Sequence, residues 1–481
     1  MMVMLFIGAS CSPYAPETRK SPEGQLPQIF SLYKEEGAHP QNWWEEFGDA
    51  ELNAMVEEAL SDNFTLQEAW ARLRQANARV IQERSYLYPD LNAIPGYLIR
   101  RQTTTNDTSQ VGTTGRTGMP IEPVTRETTE SFTLGITSSY ELDLWGKIRS
   151  EVEAERLTAA ATREDLNTAA MSVAAEVTQR WVEIISQRMQ KQLLEKQLQN
   201  NNTYLELVDL RFRKAMVSAL DVYQQRQVVE RVKAEIPLVE AQEQLRLHEL
   251  ALLMGKPPRA WPQISRDELP FPAQIPAIGL PADLLANRPD VRAAGVRLRA
   301  ADWQVAAARA NRLPSLRLSG QASYGADQLH LLFDNWLLSL AANLAAPLFD
   351  GKRRVAEVDR TKAVVDERLL AYRRTVLTAI KEVEDALIQE EKQREHIKAL
   401  KQQIETARKA LNEAGERYLK GLNDYLPVLT QLLSVQNLER DLIRRQAELI
   451  IDRVSLFRAL GGTWMNDLQP NKTMKMTGVM E

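Results

Sequence analysis

A mainly α-helical chain with a membrane β-barrel contribution is the fold class predicted by the 481-residue sequence. Three observations predict it. Residues 147–236 and 352–414 contain neither glycine nor proline, runs of 90 and 63 residues. Both runs are far longer than the roughly 8–20 residues of ordinary globular helices. Shorter segments between them alternate apolar and polar side chains with period two, the mark of strands. The chain also repeats itself, so helices and strands come as two copies of one segment.

The repeat is read from residue types at fixed offsets. Arg72-Leu73-Arg74, Ala76 and Pro89 return at +225 as Arg297-Leu298-Arg299, Ala301 and Pro314. Gly146-Lys147 returns at +205 as Gly351-Lys352, while Arg211-Phe212 and Met254-Gly255 return at +206 as Arg417-Tyr418 and Leu460-Gly461. The spacing from Phe212 to Gly255 equals that from Tyr418 to Gly461, 43 residues in each. The offset drops by 20 between Pro89 and Gly146, so the first copy carries extra residues there. They fall in or near residues 102–130, a stretch rich in Thr and Gly with Pro120 and Pro123, whose composition is that of an exposed loop. Each copy therefore reads as helix, extended section, very long helix, turn and helix.

The N-terminus opens on apolar and small residues that lead into Cys11, the only cysteine. That order has the shape of a bacterial lipoprotein signal, with Cys11 as the lipid-bearing residue, an anchor and not a span. No Lys or Arg precedes Cys11, and Gly8 stands where such signals usually carry Leu; a truncated start would account for the missing basic residues. An incidental cysteine is the alternative reading. A lone cysteine excludes a disulfide framework. No run of about 18 apolar residues follows, so no transmembrane helix is expected; residues 329–349 come nearest but contain Asp334, Asn335 and Asn343.

The extended sections carry the membrane signal. Phe132, Leu134, Ile136, Ser138, Tyr140, Leu142 and Leu144 share one face, opposite Thr133, Gly135, Thr137, Ser139, Glu141 and Asp143. In the second copy Leu316, Leu318, Gly320, Ala322 and Tyr324 oppose Arg317, Ser319, Gln321 and Ser323. Trp336 to Leu348 alternates likewise, and residues 91–101 form a less regular fourth strand interrupted by Pro95 and Gly96. A half-buried strand of a soluble sheet has the same period. Four strands cannot close a barrel of at least about eight, and an open edge in lipid leaves backbone groups unsatisfied. A membrane barrel therefore requires several chains.

Gly146 to Lys214 is long enough for a helix of roughly 100 Å. In the second copy Val358, Val365, Leu369, Tyr372, Val376, Ala379 and Val383 form a coiled-coil-like seam, with Lys362 at the one gap. Arg360, Glu367, Arg374, Lys381 and Glu384 occupy a solvated face. The long helices end in turns at residues 214–221 and 420–427, where Ser218 or Asp424 is placed to cap the following helix. Ala215 stands in the first turn without the glycine expected there.

These residues resemble the TolC-like outer-membrane efflux proteins, in particular the lipoprotein branch attached to resistance-nodulation-division (RND) pumps. The resemblance runs from about residue 40 to 465. It is carried by Trp43-Trp44-Glu45-Glu46-Phe47-Gly48-Asp49, by Leu280-Pro281-Ala282-Asp283 through Asn287-Arg288-Pro289-Asp290-Val291-Arg292, and by Leu142-Asp143-Leu144-Trp145-Gly146-Lys147. Leu348-Phe349-Asp350-Gly351 and Ala459-Leu460-Gly461-Gly462 complete it. It implies a homotrimer with a twelve-stranded barrel in the outer membrane and a helical tunnel through the periplasm. A periplasmic adaptor and an RND-type inner-membrane pump are the implied partners, and Cys11 the acylated residue. On this basis residues 1–11 are a lipoprotein signal segment and 12–62 an N-terminal extension and equatorial part. Residues 63–270 and 271–465 are the two efflux repeats, and 466–481 a tail. The resemblance places a periplasmic gate at Asp221, Arg417, Tyr418, Asn423, Asp424 and Tyr425. Pro427 and Thr430 stand where TolC itself has an aspartate pair; members of the lipoprotein branch carry their acidic residue nearer Asn423 and Asp424, so the resemblance implies a cation-binding ring at Asp424.

Enzyme chemistry is not expected. His39, His248, His330 and His396 match no metal spacing, and no Walker loop, HExxH or GxSxG is present. Met474, Met476 and Met480 lack the Cys or His of a soft-metal site. No cofactor is expected beyond lipid on Cys11. The net charge of −4, from 60 basic and 64 acidic residues, gives no bulk attraction to nucleic acid. The sequence thus points to a passive export duct. A type I protein secretion duct of the same fold stays open, and a soluble coiled-coil scaffold would explain the helices but not the strands, repeat and motifs.

Overall fold

The structure, a computed structural model, describes residues 14–16, 27, 30, 42–105, 124–270 and 279–470. Helices α1 (Ala50–Asp62) and α2 (Phe64–Ser85) lead into strands β1 (Asp90–Thr105) and β2 (Val124–Leu142). Then follow the long α3 (Lys147–Arg213) and α4 (Ala219–Leu253). The second half repeats the order with α5 (Leu284–Asn287), α6 (Pro289–Ala310), β3 (Ser315–Ala326), β4 (Trp336–Ala345), α7 (Arg353–Leu419) and α8 (Leu426–Leu460). Helices α3 and α7 each have 67 residues, and α4 and α8 each have 35. At 1.5 Å per residue the longer pair measures roughly 100 Å. Helix α4 continues through Pro237. Among the described residues no helix is long and apolar enough to cross a membrane.

The chain divides into two compact units, and each draws on both repeats. The first takes Ala76–Thr158 and Leu298–Glu367 and contains all four described strands, in a single antiparallel sheet ordered β1-β2-β3-β4. Registers pair Tyr97 with Phe132, Leu134 with Tyr324, and Tyr324 with Trp336. The strand starting near residue 91 forms despite Pro95 and Gly96, because it pairs with β2 along its whole length.

The second unit is helical. Its main core gathers Trp43, Leu52 and Val56 with Val177, Trp181, Ile185, Leu250 and Phe457. Trp43 stacks on Phe457 at 5.4 Å, and Trp44 meets Trp464 edge-on at 4.9 Å, which explains the paired tryptophans of the N-terminal motif. The repeat shows again in backbone geometry. Gly255 (φ +70°) and Gly461 (φ +80°) both turn the chain after a long helix. A Cβ on Gly255 would lie 2.4 Å from the Asp62 carbonyl oxygen, and one on Gly461 2.5 Å from that of Asn287. Asp62 and Asn287 are themselves related by the +225 offset. Both positions need the left-handed conformation and the missing side chain.

The seam of α7 differs from expectation at its gap. Thr361, not Lys362, is the buried residue, with its hydroxyl donating to the Glu357 and Val358 carbonyls. Lys362 is exposed. A hydroxyl bonded to its own helix enters an apolar seam at little cost, whereas an ammonium there would need a partner.

Candidate functional site: a two-faced sheet and joined helix hairpins

The sheet has two chemically distinct faces. Directly paired residues share a face, so the registers place Asp90, Ser139 and Ser319 together, followed by Asn92, Thr137, Gln321 and Ser339. These groups line a shallow polar cavity of about 270 Å³. On the same face Arg317 and Lys147 flank Glu141, at 3.4 and 3.7 Å. The opposite face carries Leu134, Ile136, Tyr140, Leu142, Leu316, Leu318, Leu338, Leu340 and Leu344. Leu340 is 79% exposed and Leu344 68%, apolar surface that contact with water would penalise.

Aromatic residues bound this apolar face at its turn end. At the turn end Tyr97 packs on Phe132 at 4.7 Å and Tyr324 on Phe333 at 5.3 Å, with Trp336 beside Tyr324 in the register. At the helix end Tyr86, Tyr88 and Phe349 are exposed. From Phe132 to Leu142 is eleven residues, the length of one tilted membrane strand. An apolar band with an aromatic belt at one end, backed by a polar face, has the pattern of an outer-membrane barrel wall.

At the far ends of the helix hairpins, the α3–α4 turn holds Ala215 at φ +55°. Ser218 caps α4 in a reciprocal box: its hydroxyl accepts from Asp221 N, and Asp221 Oδ2 accepts from Ser218 N at 3.0 Å. The Asp221 carboxylate is therefore committed to the helix end. Asp424 does not cap α8; the N-cap position is Tyr425, without a side-chain cap, and Pro427 pre-sets the first turn. Arg417 and Asp424 are exposed, and Arg417 Nε donates to Asn423 Oδ1 at 3.4 Å. Tyr418 and Tyr425 are buried in a core with Val208, Val222, Val428 and Leu429. Of the six predicted gate residues, the two tyrosines thus belong to the hairpin interior. Cys11 lies outside the described residues.

The buried interior also holds polar groups that the sequence did not single out. Tyr425 Oη donates to Gln225 Oε1 at 2.7 Å, and Gln225 Nε2 donates to the Asn201 carbonyl at 2.8 Å. Gln436 Nε2 donates to Asn201 Oδ1 at 2.8 Å, and Gln197 Nε2 to the Gln436 carbonyl at 3.2 Å. The chain of amides joins α3 and α4 to α8. Burial pushes the Tyr425 phenol well above its ordinary value, with Tyr418, Tyr204 and Asp221 adding to the shift. The Arg211 guanidinium lies 4.4 Å over the Tyr418 ring.

The α5–α6 signature has a structural role. Arg288 is buried, binds Asp290 and Glu382 at 2.7 Å each, and donates to the Ala459 carbonyl at 3.1 Å. Arg292 pairs with Glu164 at 2.8 Å.

Comparisons with known proteins agree with this reading of sheet and helices. The profile described as outer membrane efflux protein matches residues 55–256 and 280–462. The chain is 30% identical over 467 residues to the pyoverdine export outer membrane protein OpmQ of Pseudomonas aeruginosa, covering 97% of this chain and 96% of that one. The solved outer-membrane channel OprN superposes with a TM-score of 0.84 at 25% identity, over 95% of this chain and 100% of that one. The outer membrane protein VceC of Vibrio cholerae gives 0.77 at 28%, over 88% and 99%. The chain belongs to the outer membrane efflux protein family.

Proposed function

We propose that three copies of this chain build one export duct through the outer membrane, opened and closed at the ends of its helix hairpins. The chain is the outer-membrane channel component of an efflux pump. The observation that carries the trimer is the four-stranded sheet with one apolar face, one polar face and two outer edges, β1 and β4. Closure in lipid requires those edges to pair with other copies. Two copies give eight strands, a barrel whose interior side chains fill it; three give twelve and leave a lumen. Across the periplasm the four long helices of each chain form the tunnel wall, twelve helices in all.

An adaptor and an inner-membrane pump, of the RND type by resemblance, complete the assembly. Exposed Met216, Leu220 and Tyr223 in the first turn region and Leu419, Leu422 and Leu426 in the second offer the adaptor apolar contacts. The duct carries no catalytic chemistry of its own and holds no cofactor; transport is passive, and the pump supplies the energy. Cys11 anchors the chain by covalent lipid. Asp424, Arg417 and Asn423 line the closed end, and adaptor docking shifts a closed–open equilibrium there.

Native mass spectrometry of the detergent-extracted outer-membrane fraction tests the assembly. A mass of three chains, with ion conductance in planar bilayers, is expected. Recovery in the soluble fraction without detergent, or a dimeric mass, overturns it.

A further inference from the structure

The membrane-facing side of the sheet continues past its aromatic belt at the turn end. β3 pairs with β2 only as far as Ala326, opposite Phe132. Beyond that, β1 and β2 run on as a two-stranded ribbon, from the Leu98–Ser131 pair to the Thr105–Val124 pair. The helices leave the sheet at its other end, so a duct whose helices cross the periplasm points this ribbon outward, at the outer leaflet.

Alternation fixes what the ribbon shows to the lipid. On the face of Tyr97 and Phe132, the next rung holds Ile99 and Glu130, the next Arg101 opposite Thr128, and the next Arg126 opposite Thr103. Arg101 and Arg126 are diagonal neighbours, within reach of one ligand. Both are exposed, and among the described residues neither makes an ion pair. They stand four and six residues beyond Phe132, roughly 14 and 20 Å along the strand. With strands tilted by about 45°, that is roughly 10 and 14 Å above the belt.

That sets their backbone above the roughly 5–7 Å headgroup layer of a membrane whose apolar boundary is the Tyr97–Phe132 belt, and arginine side chains of about that length reach back into the layer. Guanidinium groups bind phosphate oxygens bidentately, and their stems lie along apolar surface towards the membrane. We propose that Arg101 and Arg126 bind the phosphates of a phosphorylated glycolipid of the outer leaflet. The Tyr97–Phe132 belt then packs against the start of its acyl chains. Two guanidinium groups favour a ligand that offers a phosphate to each over a single-phosphate lipid, and Glu130, one rung nearer the belt, disfavours a phosphate set lower. The inference rests on the outer-membrane placement of the sheet, not on the gate.

Purified full-length protein in detergent is titrated with bisphosphorylated lipid A, monophosphorylated lipid A and phosphatidylglycerol, and retained lipid is read by native mass spectrometry. Bisphosphorylated lipid A is expected to bind about tenfold more tightly than either other lipid. Arg101→Gln with Arg126→Gln is expected to erase that preference while leaving the oligomeric mass unchanged. Equal retention by the double variant, or phosphatidylglycerol bound as tightly as lipid A, overturns the proposal. Channel conductance is recorded on the same samples, so loss of lipid preference with conductance intact separates this inference from the export reading.

Discussion

The phenolic hydroxyl of Tyr425 donates a 2.7 Å hydrogen bond to Oε1 of Gln225, joining two buried side chains 200 residues apart in sequence. It links the start of α8 to α4, and through Gln225 Nε2 to the α3 backbone at Asn201. A buried hydrogen bond of this kind contributes about 1 kcal/mol, and more when its loss strands a partner. Tyr425→Phe removes the hydroxyl, keeps the ring against Tyr418 (centroids 5.4 Å apart) and leaves Gln225 Oε1 unsatisfied. The expected outcome is a hairpin end that separates more readily, with several-fold higher channel open probability in planar bilayers. Unchanged conductance in Tyr425→Phe removes this bond from the closed state.

Ala215 sits at φ +55° in the α3–α4 turn, in the left-handed region that costs a side-chain-bearing residue about 1 kcal/mol. Its N–H donates to the Phe212 carbonyl at 2.8 Å, and the Met216 N–H donates to that of Arg211, so the turn is held closed around the strained residue. Ala215→Gly relieves the strain, offset in part by the greater freedom of glycine in the unfolded chain. The expected result is a gain of roughly 0.5 kcal/mol, read as a small rise in the chemical-denaturation midpoint. A fall in that midpoint counts against the strain.

Much of this architecture is legible in the sequence because it rests on periodicity and on turns. The first breaker-free run becomes α3, a turn and the first half of α4, the second forms most of α7, and the alternating segments become strands on a single sheet whose faces match the pattern. Ala215 marks a turn although no glycine announces it, because the Phe212–Gly255 spacing matches Tyr418–Gly461 and places it by the repeat. The buried amides were not legible. In a helix of 67 residues that packs on different sides along its length, Asn201 looks like any solvated Asn until α8 supplies Gln436. Tyr418 and Tyr425 stand at the gate by resemblance, and the structure adds what the sequence could not show: both rings pack beside Val208, Val222 and Val428, where large side chains gain from burial.

The Arg288 guanidinium serves four acceptor atoms: both carboxylate oxygens of Asp290, Glu382 Oε2 and the Ala459 carbonyl. Burial pulls its pKa down most strongly, but the hydrogen bonds and charges of Asp290 and Glu382 outweigh this and raise it. Arg288→Met keeps the stem and removes every donor. Asp290 and Glu382 are partly exposed and regain water, so the loss is about 2–3 kcal/mol, smaller than for a fully buried pair. It is expected as a lower denaturation midpoint with unchanged channel selectivity. Altered ion selectivity at unchanged stability would assign Arg288 to the conduction path instead.

Asp452 on α8 has its pKa pushed up to about 6, first by burial and then by the carboxylates of Glu390 and Glu448. Glu390 is itself held by Arg453, at 2.6 and 2.9 Å, and by Arg394 at 2.9 Å, so those cations face Glu390. A carboxyl with a folded-state pKa above its unfolded value of about 3.8 binds protons more tightly when folded. Its contribution is therefore fully present below about pH 4 and is lost as pH rises through about 6. Because the side chain is partly solvated, the effect is held to about 1 kcal/mol. Asp452→Asn keeps the shape and removes the titration. The variant is expected to match the wild type at pH 4 and to exceed it in stability at pH 8, measured by denaturant unfolding of the purified protein at each pH. A difference of the same size at both values would mean that Asp452 acts through its packing and not through its charge.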